Sequence, residues 1–423
     1  MSHVRAKRIL CLLLAGLLAA ASAAAADVPA EYTAKSKVTM GYFGTSSMLC
    51  LYDDYTQPGA QDRYLAVWEK VKGILQELDE LLSVSIATSE ISRFNALSCG
   101  ESMPISAETA EVFSLAMEMY RKTEGYFNPA MYPLVDLWGF SPRFIYRDSI
   151  EQPYDRARED GTRPLPDKEY IAAFLKLADP ENIVLSGTAE TGYVLAKNVP
   201  DVEVHGVVYH AQIDLGGIVK GYAVDRVKAL LEEAGYEYGY FSCGSSSICL
   251  LKSAGKTAIA QNDPRFALEI RSPRETQSGE YARVSIMDTC LSSSGDYDNN
   301  YQHGEYVYCH IINPFTGYPL NVDSGTVQRG VSTVTLFSGN ATEDDALTTA
   351  LCLMGPRKAI DYINENLSGH EVIMMLYSAD SSRYEVVTNL PQERLILEDE
   401  AYVLASTVDE NGLIHYNGVL FSD

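Results

Sequence analysis

The stretch Ile213-Asp214-Leu215-Gly216-Gly217-Ile218-Val219-Lys220-Gly221-Tyr222-Ala223-Val224-Asp225 constrains the fold of this 423-residue chain more than any other. Apolar, β-favouring residues lead into it (Val207, Val208, Tyr209, Ile213), which predicts a strand ending near Leu215. Two glycines follow, and then Val224, Val227, Leu230 and Leu231 recur on one helical face. A strand, a glycine turn and a helix opening would gather free backbone N–H groups and a positive dipole end at one point. Lys220 adds a mobile charge there, and Asp214 stands where strand and turn meet. That combination suits a phosphate-bearing ligand with a metal. The glycines alone require only a tight turn, and the stretch matches neither the Walker pattern nor G-x-G-x-x-G.

The N-terminus stands outside the fold. Arg5, Lys7 and Arg8 precede an apolar run from Ile9 to Ala20 and small residues ending Ala24-Ala25-Ala26, the pattern of a secretory signal peptide over residues 1–26. An exported protein, in a periplasm or at the outer face of a cytoplasmic membrane, is the expectation. The formal net charge is −24, and removing the leader takes away cations only. So acidic a surface argues against nucleic-acid binding, where basic patches supply the affinity. A site for an anionic ligand must then be built locally, from a metal, Lys220 or helix N-termini. The seven cysteines beyond the leader contain no C-x-x-C pair, so neither a zinc site nor a disulfide scaffold is indicated.

Patterning predicts a strand from Val38 to Asp53 interrupted at Gly44-Thr45, and helices over Gln61–Val84, Ser106–Lys122 and Pro166–Leu177. Ser89–Asn95 reads as a polar turn and residues 141–165 as a surface insertion. Strands are expected around Tyr240, Ile248, Ile259 and Leu268, then a loop-rich stretch over Leu291–Pro319 containing a strand Tyr306–Cys309. Helices Thr342–Met354 and Lys358–Asn366 and strands Val372–Tyr377 and Tyr384–Thr388 follow. Residues 391–423 form an acidic C-terminal extension to which the sequence assigns no role.

Asp345 and Thr349 lie one turn apart on a largely apolar helix, so their oxygens share a face. That pair suits a hard cation such as Mg2+, which takes few protein ligands, although a solvated first turn explains the acidic residues equally well. His310, at a strand end before Ile311-Ile312-Asn313-Pro314, is the best general-base candidate among 7 histidines; a core-satisfied imidazole is the plainer alternative. Ser292-Ser293-Ser294-Gly295-Asp296-Tyr297 could donate to phosphate oxygens. Asp296–Asn300 starts like a calcium loop, but Tyr301 fills the glycine position, which excludes an EF-hand. Ser253-Ala254-Gly255-Lys256 fits S-x-x-K by chance, since no S-D-N follows.

In order along the chain, these blocks resemble the ApbE-like flavin transferases, enzymes that move FMN from FAD to a protein. The resemblance spans about Val38 to Tyr377 and rests on Phe43-Gly44-Thr45, Ser89–Asn95, Gly125–Pro129 with Leu137–Phe140, Asp214–Asp225, Ser294–Tyr297 with His310–Pro314, and Asp345–Ala350. It implies an α+β fold of mixed sheets with packed helices, one two-lobed domain over residues 27–390 with the active site in the cleft. It also implies FAD as substrate, Mg2+, and a Thr or Ser hydroxyl of a partner protein as acceptor, with AMP released. The metal ligands would be Asp345, Thr349 and the carbonyl at Gly217; Asp214, Lys220 and His310 would serve catalysis. Phe43, Thr45, Asn95, Tyr126, Phe127, Asn128, Ile311 and Ile312 would complete the FAD pocket with Asp214, Lys220 and His310. The acceptor motif, Ser/Thr-Gly-Ala-Ser/Thr, is absent from this chain, so the acceptor is expected to be another polypeptide, a membrane redox subunit. Water in place of that hydroxyl would make the same site an FAD pyrophosphatase, and loss of turnover would leave a flavin-binding protein. The chain departs from the family pattern at Asn128 and Asn313, where Asp is usual, at Cys243–Ser246, and at Phe43, where the methionine is displaced.

Overall fold

The computed structural model describes residues 32–141, 165–252, 265–274, 279–304, 306–322 and 328–421. The leader, the S-x-x-K stretch, the strand expected at Ile259 and nearly all of the 141–165 insertion lie outside them. A nine-stranded sheet forms the frame: β1 (Thr33–Met40), β2 (Ser46–Asp53), β3 (Gly239–Cys243), β4 (Ser247–Leu250), β5 (Thr289–Gly295), β6 (Arg329–Ser338), β7 (Glu371–Ser378), β8 (Tyr384–Thr388) and β9 (Tyr402–Leu404). Spatial order follows chain order, and every neighbouring pair is antiparallel except β8–β9.

The sheet is covered on both faces, which explains the unbroken apolar run Val372–Tyr377. Because side chains alternate across a strand, Val372, Met374 and Leu376 enter the larger core, while Ile373, Met375 and Tyr377 enter a smaller one on the opposite face. That smaller core lies beneath the antiparallel strands Phe266–Arg271, Glu280–Ile286 and Leu395–Leu397. The larger lies beneath helices: α1 (Ala60–Leu82), α2 (Glu90–Asn95), α3 (Ala107–Lys122), α4 (Tyr132–Leu137), α5 (Lys168–Phe174), α6 (Val219–Glu233), α7 (Ala341–Met354) and α8 (Pro356–Asn366). Trp68, Val71, Leu75, Leu78 and Leu82 form the buried stripe of α1, as their spacing predicts. The second lobe is an insertion between β2 and β3 containing α3–α5 and the small sheet Ser102–Ile105, Ile183–Thr188 and Gly192–Lys197.

Three local expectations need correction. Ser89–Asn95 is the helix α2 and not a turn: Ser89 Oγ caps it by accepting the Ser92 N–H at 2.9 Å, and Ile91 and Phe94 are buried. Leu291–Pro319 contains β5 and the hairpin Asn300–His303/Tyr306–Cys309, because its serines and tyrosines are sheet residues rather than loop residues. No strand reaches Leu215. Val207–Tyr209 pairs only with Val202–Val204, and the chain then runs to the glycines outside any sheet. Of the acidic extension, residues 391–421 pack on the sheet: β9 joins its edge, and the buried Glu385 of β8 accepts from Tyr416 Oη and from the Val419 and Leu420 N–H groups. The cysteines are free thiols, with Cys99 exposed and the other six described ones buried.

Candidate functional site

The central motif is placed by contacts that its own sequence does not announce. The Asn95 amide mimics a strand partner, its Nδ2 donating to Ile213 O and its Oδ1 accepting from Ile213 N, both at 2.8 Å. Asp214 N–H donates to Pro129 O at 2.8 Å, and Asp214 Oδ1 accepts from Gly216 N at 2.8 Å, closing the turn. From there α6 runs against α7, and Gly221 makes the approach possible. Its N–H donates to Asp345 Oδ2 at 3.1 Å, and a Cβ there would lie 2.1 Å from Ala341 O. Asp225, one turn further on, caps α7, with its two oxygens accepting from Ala341 N (3.0 Å) and Thr342 N (2.8 Å).

This seam opens into a cleft of about 480 Å3. Phe43, Thr45, Tyr126, Phe127, Asn128, Asp214, Gly217, Lys220, His310, Ile311, Ile312, Asp345 and Thr349 all line it. Asn95 does not. It is buried with both ends of its amide committed to Ile213, so it shapes the turn from behind. A neighbouring cavity of about 550 Å3 beyond Leu353 contains none of these residues, and its one charged group, Arg329, is paired with Asp380 at 3.0 Å.

Asp345 is only 2 % exposed, and its Oδ1 faces the Lys220 ammonium at 3.5 Å. Lys220 also donates to Gly216 O at 3.0 Å, the carbonyl one residue before the Gly217 position that the resemblance indicates. Thr349 Oγ1 lies 3.1 Å from Ser294 Oγ, which also meets Thr348 Oγ1 at 2.9 Å. A buried carboxylate and a carbonyl face one ammonium, and hydroxyls line the same cleft, oxygens suited to positive charge. Among the described residues no three His, Cys, Asp or Glu side chains converge on one point. The donor set therefore fits Mg2+, which keeps waters and shares itself with substrate phosphates, better than a caged transition metal.

Burial and the nearby Lys220 charge hold the His310 pKa below 6.5, opposed by backbone groups of Asp298 and Asn299. The imidazole is therefore neutral at pH 7, and its buried Nδ1 has no hydrogen-bond partner. Burial raises the Asp214 pKa, which the Gly216 N–H and Lys220 partly offset. Of the serine run, Ser293, Ser294, Gly295 and Tyr297 line the cleft. Asp296 turns away into a bidentate pair with Arg274, both contacts at 2.8 Å. Phe43 holds φ +52° at the rim, with its N–H donating to Asp79 Oδ1 at 3.0 Å. Nothing in the sequence marks Asp79 as a site-builder. Asp225 is marked only by its place in the block Asp214–Asp225.

A profile of the ApbE family matches residues 43–374. The chain belongs to the ApbE family. An Escherichia coli K12 relative named FAD:protein FMN transferase is 27% identical over 352 residues, 83% of this chain and 86% of its own. A Vibrio cholerae relative of the same name is 27% identical over 343 residues, 81% of this chain and 87% of its own. The solved structure of the Vibrio cholerae flavin transferase ApbE superposes with a TM-score of 0.59 at 27% identity, over 84% of this chain and 98% of its own. The apo flavinyl transferase ApbE of Pseudomonas stutzeri, at 21% identity, shares the fold with a TM-score of 0.63, over 84% of this chain and 95% of its own. The mixed-sheet α+β fold in a single domain is thus that of ApbE structures. One departure from the ApbE pattern has a local reason. Asn128 Nδ2 donates to Ala178 O at 3.0 Å while its Oδ1 accepts from Ala130 N, a pairing that a carboxylate could not make.

Proposed function

We propose that this chain is an exported, Mg2+-dependent FAD:protein FMN transferase. It would join FMN through its phosphate to a Thr or Ser hydroxyl of another polypeptide in the same exported space and release AMP. The observation that carries the reading is the convergence of Asp345, Thr349, Lys220 and the glycine turn with a neutral His310 on one cleft. The names of the relatives agree with it.

Phosphoryl transfer asks a protein for charge neutralisation and alignment more than for covalent help. Asp345, Thr349 and the Gly216–Gly217 backbone would hold the magnesium ion, which when bound supplies charge to the diphosphate oxygens. Lys220 neutralises further phosphate charge, and the Ser293 and Ser294 hydroxyls donate to it. His310 takes the proton from the acceptor hydroxyl as that oxygen bonds to the FMN phosphorus and the bond to the AMP oxygen breaks. Phe43, Tyr126 and Phe127 offer ring faces for the flavin or adenine.

The test is incubation of residues 27–423 with FAD, Mg2+ and a peptide containing Ser-Gly-Ala-Thr, read by intact mass. A gain equal to FMN on the peptide, abolished by EDTA and by Asp345→Ala, is expected. AMP release without labelling would replace the reading with a pyrophosphatase, and FAD binding without either would leave a flavin carrier.

A further inference from the structure

Lys197 is a completely buried cation that the chemistry above does not use. Its Nζ donates to Leu97 O at 2.6 Å and Asn95 O at 3.2 Å, and stands 4.9 Å from the centre of the Phe94 ring. These contacts are two carbonyls and a ring face, with no carboxylate among them. Burying an ammonium on such terms is costly. What the cost secures is the carbonyl end of α2, whose last residue is the Asn95 that grips Ile213. Residues 210–215 have no strand neighbour, so the Asn95 amide and the bond from Asp214 N to Pro129 O hold the Ile213–Asp214 end of this approach, with His210 tied to Asp201 at its start. From Lys197 the line of contacts runs through Asn95, Ile213, Asp214 and Gly216 to Lys220 in the cleft.

We propose that Lys197 is a positioning residue for FAD: through the end of α2 and the Asn95 amide it fixes the Ile213–Gly217 turn at the cleft floor without touching the substrate. The inference rests on reading the cleft as the FAD site. It carries a pH signature. Burial pushes the Lys197 ammonium down to about 8, against the smaller opposing influence of Asp201, Glu101 and Cys99. Asp201 is itself engaged by His210 Nδ1 at 2.9 Å and by the Cys99 N–H. Above that pH the charge-assisted part of the tie to Asn95 is lost.

FAD affinity of the full chain with Mg2+, followed by flavin fluorescence from pH 7 to 9, tests this directly. Lys197→Met should weaken FAD binding roughly tenfold at pH 7, the loss of one charge-assisted hydrogen bond, and raise KM while kcat stays within about threefold. The wild type should weaken through pH 8 toward the variant, whose affinity stays level. Parallel pH profiles for the two, or a lower Tm with unchanged affinity, would overturn the proposal. If Lys197→Met does not fold, the wild type must still show the step near pH 8 and Asn95→Leu must lack it; failure of either overturns it too. No FAD binding by the wild type at any pH would instead overturn the reading of the cleft, and this inference with it. Intact binding indifferent to Lys197 overturns this inference alone.

Discussion

Gly221→Ala is the sharpest single test of how the site is built. The added methyl would lie 2.1 Å from Ala341 O, 2.6 Å from the Ala341 carbonyl carbon and 2.9 Å from Asp345 Cβ. Two of these neighbours are backbone, so α6 and α7 must separate by more than about 1.3 Å to restore ordinary contact. Overpacking of this kind costs about 1–3 kcal/mol, of which alanine's better helix propensity returns about 1 kcal/mol. Separation also stretches the bond from Gly221 N to Asp345 Oδ2, a charged pairing worth about 1.5–3 kcal/mol that now stands at 3.1 Å. A net destabilisation of about 2–4 kcal/mol is expected in urea unfolding. The displaced carboxylate should also raise the half-saturating Mg2+ concentration for AMP release roughly tenfold. A variant within about 0.5 kcal/mol of wild type, with unchanged Mg2+ dependence, would refute the close approach of the two helices as the device that sets Asp345.

His310 acts as a base only when neutral and its pKa lies below 6.5, so the transfer rate should climb with pH through that lowered value and level off before neutrality. His310→Asn should lose about 10²–10⁴ in kcat together with the acid limb, measured as AMP release against pH. Asp225→Ala strips acceptors from Ala341 N, Thr342 N and Thr342 Oγ1 and should lower stability by about 2–3 kcal/mol in thermal or urea unfolding, with Asp225→Asn losing less. Mg2+ should raise the Tm of the wild type by mass action and leave that of Asp345→Asn unmoved, a comparison that needs no turnover.

Much of the site was legible because its chemistry requires residue types that stand out locally. A carboxylate on an apolar helix, a glycine pair before a lysine and a histidine at a strand end each signal a task, and Asp345, Lys220 and His310 indeed meet at one cleft. What escaped the sequence are groups whose partners are distant in the chain. Asn95 has the look of a ligand contact, yet its partner is backbone 118 residues away. Asp79 and Asp225 read as ordinary helix charges until the Phe43 turn and the α7 N-terminus arrive beside them. The fold followed the same division. Amphipathic helices such as α1 show their period, whereas β7, buried on both faces, shows no alternation from which a sheet face could be assigned. The β5 serines hid a central strand because strand propensity is largely a matter of which neighbours a residue meets.

The sheet has only two ends, and both are managed. At one, β1 is a solvent-facing ribbon with Lys35 and Lys37 along it, charges that would repel a second copy seeking to extend the ladder. At the other, β9 arrives from the acidic tail and lies parallel on β8, where the Glu385 carboxylate holds the rest of the tail down. A chain shortened before residue 391 would offer the apolar Tyr384–Thr388 edge to its neighbours. The same cut would strip Leu395–Leu397 from the smaller core and leave the buried Glu385 carboxylate without its tail donors, so growth into aggregates would come together with lost stability.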